Sequence, residues 1–148
     1  MKLVFAKPDL PRDGAIVAGV LDERRLTSSA AALDRDTEGA IGRALAASSR
    51  FKGRGDDLLN LLAPAGLGAS RVVLVGLGKP DALDARTAQA VGGRILAYLN
   101  GTGETAAAIA VDDIEGCRLG AAEIAANIAY GARLRDYRFD KYRTTEKP

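Results

Sequence analysis

Arg71-Val72-Val73-Leu74-Val75-Gly76-Leu77-Gly78 is the stretch that decides the fold. Its apolar residues follow one another without the polar alternation of a half-exposed strand, and several are β-branched. This predicts a strand buried on both faces, inside a sheet that helices cover on either side. Downstream, Asp84 can cap a helix with inward positions Ala88, Val91, Ile95 and Leu99, closing at Asn100-Gly101. Residues 106–111 then read as another central strand, and a helix runs from Leu119 to about Leu134 with Ile124 and Ile128 on its inner side. Upstream, Leu58 to Leu62 reads as a strand and Lys52 to Asp56 as an exposed loop. Ala30, Leu33, Thr37, Ile41 and Leu45 recur at helical spacing, which predicts one helix from Thr27 or Ser28 to about Ser48. Two short strands, Leu3 to Phe5 and Ala15 to Leu21, open the chain. The order ββαββαβα predicts an α/β fold, a three-layer α/β/α sandwich around a mixed, mostly parallel sheet.

The 148 residues suffice for one core. With 47% hydrophobic and 27% charged residues the chain is globular rather than disordered. It contains no His, which excludes Ser-His triads, His general bases and His-containing zinc sites. Its single Cys, Cys117, cannot form an internal disulfide or a multi-thiolate metal site, and reads as an incidental thiol in a reducing compartment. No apolar run approaches the ~20 residues of a membrane span, so a soluble, cytoplasmic protein without a membrane partner is expected. The net charge of +2 arises in the tail, where residues 133–148 carry six basic and three acidic side chains.

Three motifs invite a chemical reading. Gly76-Leu77-Gly78-Lys79 follows a strand as a phosphate-binding loop would, but a dinucleotide fingerprint needs glycine where Asp81 stands, and Pro80 removes a backbone donor. A tight exit from the strand is the plainer reading. Asp112, Asp113 and Glu115 follow a strand end, and Asp34, Asp36 and Glu38 lie on the first helix. Carboxylates alone can hold hard cations. Adjacent acids in a turn are ordinary, however, and helical positions two apart diverge, so neither group is assigned as a metal site. In the tail Arg133, Arg135, Arg138, Lys141 and Arg143 interleave with Tyr137, Phe139 and Tyr142. The rings fit an interdomain contact, and Arg135, Arg138 and Arg143 fit contacts to DNA phosphates. Arg54-Gly55-Asp56 matches an adhesion tripeptide that is too short to carry weight.

Arg71 to Lys79, the alanine-rich helix after it and above all Gly131-Ala-Arg-Leu-Arg-Asp-Tyr-Arg-Phe-Asp-Lys-Tyr-Arg143 resemble the amino-terminal domain of the cytosolic leucyl aminopeptidases, across essentially the whole chain. The resemblance implies a macro-domain-like amino-terminal domain over residues 1–134. Residues 135–148 are then the start of a linker toward an absent peptidase domain. It implies that this peptidase domain, not this chain, holds two divalent cations (Mn, Zn or Mg) that activate water. The family's metal-binding motif, Asn-Thr-Asp-Ala-Glu-Gly-Arg-Leu, is absent. Thr37-Glu38-Gly39-Ala40-Ile41-Gly42-Arg43 echoes it only superficially. No catalytic, cofactor or metal residue is therefore carried onto this sequence. The expected role is non-catalytic: a scaffold in a homo-hexamer, attached to its own carboxy-terminal peptidase domain. Two alternatives stay open, an ADP-ribose-binding module using the Gly66–Gly68 and Gly76–Gly78 loops, and a DNA-binding accessory domain.

Overall fold

The computed structural model describes residues 14–104 and 106–146, the stretch 137–146 as backbone alone. The elements are β1 (Ala15–Leu21), β2 (Arg25–Leu26), α1 (Ser28–Asp36), α2 (Ala40–Ala47), β3 (Leu58–Leu62), β4 (Arg71–Gly78), α3 (Ala85–Asn100), β5 (Ala107–Ile109) and α4 (Ala121–Glu146). The strand expected at Leu3 to Phe5 lies outside the described residues.

The sheet is mixed. Central β1 pairs in parallel with β4 on one side and with β5 on the other, where the two-residue β2 also joins it antiparallel. β3 lies antiparallel to β4 at the end of the sheet. Successive residues of β1 and β4 feed opposite faces, as the pleat requires. Val17, Val73 and Val75 pack with Ala88, Val91 and Ile95 of α3 and Ile124 and Ile128 of α4. Ile16, Ala18, Val72 and Leu74 pack with Ala30 and Leu33 of α1 and Ile41 and Leu45 of α2. The result is the three-layer sandwich.

α3 and α4 cross at contact distance because the sequence supplies glycine at the crossing. A Cβ on Gly92 would strike the Ile128 carbonyl, and one on Gly131 the Gln89 carbonyl. Gln89 Nε2 donates to Asn127 Oδ1 at 2.9 Å beside this contact.

The single helix expected from Thr27 to Ser48 is two helices. Glu38 (φ 54°) and Gly39 (φ 85°) are left-handed and end α1, and α2 starts afresh from Gly39. The hydrophobic spacing carries on across the break because both helices cover the same face of the sheet. The last helix runs on as backbone to Glu146, beyond its expected end near Leu134.

Candidate functional site

In sheets of this kind ligands bind at the carboxy-terminal ends of the parallel strands, where neighbouring crossovers leave for opposite faces. Here that place is the rim formed by the ends of β1, β4 and β5: β1 leads to α1 and α2 on one face, β4 to α3 on the other. Of the sequence motifs that suggested chemistry, Gly76 to Lys79 and the Asp112-Asp113 pair come to this rim, whereas Asp36, at the far end of α1, lies against Gly66 at the other end of the sheet.

Asp112 and Asp113, adjacent in the chain, serve different helices. The Asp112 carboxylate accepts from the Ser29 backbone N–H at 2.9 Å and from the Ser29 hydroxyl at 2.6 Å, in the first turn of α1. Thr27 Oγ1 accepts from the Ala30 N–H, so two otherwise unpaired donors of that turn are met by side chains. Asp113 Oδ1 accepts from the Ala121 N–H at 2.8 Å, at the start of α4. An anion at a helix N-terminus is favourable, and here the chain provides its own. Asp34 does the same for α2, accepting from the Gly42 N–H at 2.8 Å. One of the acids of the first-helix region thus caps the next helix.

Among the described residues no group of three or more Cys, Asp or Glu side chains is arranged to hold a metal ion. The cations implied by the family resemblance find no matching donor set among these carboxylates, which are already turned toward separate helix ends.

The glycines expected in a loop after the strand are the last residues of β4, and they too are committed. Gly76 N–H donates to the Asp57 carbonyl at 2.9 Å and Gly78 N–H to the Gly53 carbonyl at 2.8 Å. Asp57 Oδ2 in turn accepts from the N–H groups of Lys52 and Arg54, and the Arg94 guanidinium donates to the Gly55 carbonyl. The Arg54-Gly55-Asp56 tripeptide is thus part of a strap that lies on the strand ends. Its approach is so close that a Cβ on Gly76 would strike the Arg54 carbonyl. Gly66–Gly68 precede β4 and Gly76–Gly78 close it, which puts the two loops roughly 25 Å apart at opposite ends of one strand. The structure does not bring them together into one cradle.

Two openings remain nearby. Val17, Gly19, Ile109, Asp112 and Ile124 help to line a cavity of about 20 Å³, room for a single water. Asp22, Glu23, Arg25, Lys79 and Asp81 border an open cleft of about 240 Å³, with acids and bases mixed. Beside it Arg24 donates to the carbonyls of Phe51 and Ser48, both at 2.9 Å, and so closes the end of α2. Cys117 is partly buried with its thiol on the Leu83 carbonyl at 3.4 Å.

Arg133 and Arg135 are exposed on α4. The side chains of Tyr137, Arg138, Phe139, Lys141, Tyr142 and Arg143 lie outside the described residues. Sequence reasoning missed the capping roles of Asp34, Asp112 and Asp113. For Asp112 no local signal exists, because its partner Ser29 is 83 positions away.

The architecture is that of a macro-like domain: the macrodomain of Mycobacterium tuberculosis DarG superposes with a TM-score of 0.64 at 11% identity, covering 88% of this chain and 89% of that one. Residues 17–146 match the family model described as cytosol aminopeptidase family, N-terminal domain, and the chain belongs to that family. Similar proteins include probable cytosol aminopeptidases of Caulobacter vibrioides, 36% identical over 99% of this chain, and Methylobacterium radiotolerans, 41% identical over 91%. The chain spans only 29% and 26% of the lengths of those relatives. Among solved structures, the bottromycin maturation enzyme BotP in complex with Mn shares the fold with a TM-score of 0.60 at 22% identity, covering 88% of this chain and 24% of its own. Among the described residues no helix is long and apolar enough to cross a membrane.

Proposed function

We propose that this chain is the non-catalytic amino-terminal domain of a longer, cytoplasmic, metal-dependent leucyl aminopeptidase, and that its role is architectural. The intact protein removes amino-terminal residues from peptides with two divalent cations held in the peptidase domain. This domain shapes the homo-hexamer around those sites. Residues 135–148 lead toward the peptidase domain, with Tyr137, Phe139 and Tyr142 meeting it.

The observation that carries the reading is the match of residues 17–146 to the family's amino-terminal domain in a chain spanning less than a third of its relatives. The rim supports it: Asp112 and Asp113 are engaged as helix caps and the glycine loop is bonded to the strap. The same bonds argue against the ADP-ribose alternative, since the donors a phosphate would need at Gly76 and Gly78 are already used. The test is an assay of the purified chain with leucine-p-nitroanilide and Mn²⁺. No turnover above buffer is expected, and turnover that copurifies with the chain through successive columns defeats the proposal.

A further inference from the structure

We propose that the outer edge of β3 pairs antiparallel with β3 of a second copy of this chain, about a two-fold axis through Asn60. The inference stands apart from the catalytic reading and would hold whatever the parent enzyme does.

The first support is topological. β3 ends the sheet, and among the described residues no strand lies on its outer side. An unpaired edge is a template for another strand. Devices that normally discourage such pairing, a lysine, a proline or a bulge, are missing from Leu58-Leu59-Asn60-Leu61-Leu62, and Leu62 is 68% exposed.

The second is the phase of the ladder. Ala63 N–H donates to the Ser70 carbonyl and Gly76 N–H to the Asp57 carbonyl. With the register Leu59↔Leu74 and Leu61↔Val72, these bonds make the odd-numbered residues of β3 the ones bonded inward to β4. Leu58, Asn60 and Leu62 direct their N–H and C=O groups outward.

The third is the order of the residues. The strand reads the same in both directions about Asn60. Two-fold pairing therefore sets Leu58 opposite Leu62 of the partner subunit, Leu59 opposite Leu61 of the partner subunit, and Asn60 opposite its own copy. All three outward-bonding positions meet their counterparts as hydrogen-bonded pairs.

Asn60 itself supplies the argument for this occupant over any other strand. Its Oδ1 is buried and has no hydrogen-bond partner among the described residues. An orphaned amide oxygen is costly, and asparagine carries its own complementary donor. On the two-fold axis the two Asn60 side chains stand on the same face of the joined sheet, and a turn of the amide brings Nδ2 of one copy to Oδ1 of the other, in the manner of a stacked asparagine pair.

Disulfide trapping tests the register. In a Cys117→Ser background, Asn60→Cys places two thiols on the axis, with Cα atoms about 5.5 Å apart and within disulfide reach. Leu62→Cys places them about 13 Å apart along the strands, beyond reach. Cross-linking at position 60 should be at least ~10-fold faster than at the more exposed position 62. Equal or faster trapping at 62 overturns the register.

Sedimentation of the unmodified chain at about 100 μM should show a dimer. Leu62→Pro removes an outward N–H while leaving the bonds to β4 in place, and should weaken the dimer ~10-fold or more with an unchanged circular dichroism spectrum. This exposed position keeps the test alive should the Asn60 variant fail to fold. A chain that stays monomeric, or a dimer indifferent to Leu62→Pro, overturns the proposal.

Discussion

At the carboxy-terminal rim of β1, β4 and β5 the backbone donors are met from within: Gly76 and Gly78 by the strap, α1 by Asp112, α4 by Asp113. Along the outer edge of β3, the strand next to β4, the outward groups of Leu58, Asn60 and Leu62 meet no strand among the described residues, and among those residues Asn60 Oδ1 is left without a donor. The rim is where a fold of this class ordinarily opens to ligands, and here several of its donors are already bonded; the edge is where a sheet ordinarily protects itself, and among the described residues nothing pairs with it. The contrast teaches that a shared architecture does not by itself carry a ligand site. Such a site depends on a few backbone donors remaining free, and this chain bonds those of Gly76, Gly78, Ser29 and Ala121 within itself.

Five substitutions put that contrast under strain. The largest effect is expected from Gly76→Val, which drives a side chain into the Arg54 carbonyl and lifts the strap from the rim, at about 4 kcal/mol by urea denaturation. A near-neutral result would mean that the strap does not close the rim. Asp112→Ala should cost ~2 kcal/mol, because Ser29 loses both acceptors in a partly buried setting, and Asp113→Ala ~1 kcal/mol. Residues kept for binding often behave the other way, their removal raising stability, so a higher Tm for Asp112→Ala would restore the rim as a candidate site.

At the opposite, amino-terminal end of β4, Glu104 accepts from Ser70 Oγ at 2.7 Å and pairs with Arg71 Nε at 2.9 Å. The Ser70 hydroxyl, and then the Arg71 guanidinium, hold the Glu104 carboxyl below its ordinary value of 4.5. A depressed folded-state value means stability present above the unfolded value and lost as pH falls through the folded one. The stability difference between the unmodified chain and Glu104→Gln should therefore be flat at neutral pH and shrink below about pH 4.5. Thermal melts across pH 3–7 check the sign. The smallest change is expected from Leu62→Ser, within ~0.5 kcal/mol for the fold, since a side chain that exposed has little to lose.

Much of the sandwich was legible because its central strands and helices announce themselves locally. The unbroken run of β4 could only be a covered strand, and α3 occupies the span that Asp84 and Asn100-Gly101 mark out, with the Asp84 side chain accepting from the Thr87 N–H at 2.9 Å. The break between α1 and α2 was hidden for a physical reason. Ala30, Leu33, Ile41 and Leu45 keep helical spacing while Gly39 reverses the backbone between them, so periodicity alone could not report it. The rim was the least legible part. Asp112 looks like any acid in a turn until the fold brings Ser29 to it, because capping between distant segments leaves no spacing to read, and Asp113 caps α4 across an irregular eight-residue stretch that no short capping pattern marks. The strand Leu58–Leu62 was read correctly, but its place at the margin is a property of the sheet order and not of its own five residues.

One peptide bond joins the Asp112 cap to the Asp113 cap, and the helices they hold lie on opposite sides of the sheet, α1 against Ile16 and Leu74, α4 against Val17 and Val75. Loosening either helix drags on the dipeptide that holds the other. The two outer layers, which pack into separate clusters on either face of the sheet, are thereby tied to one another through a single dipeptide.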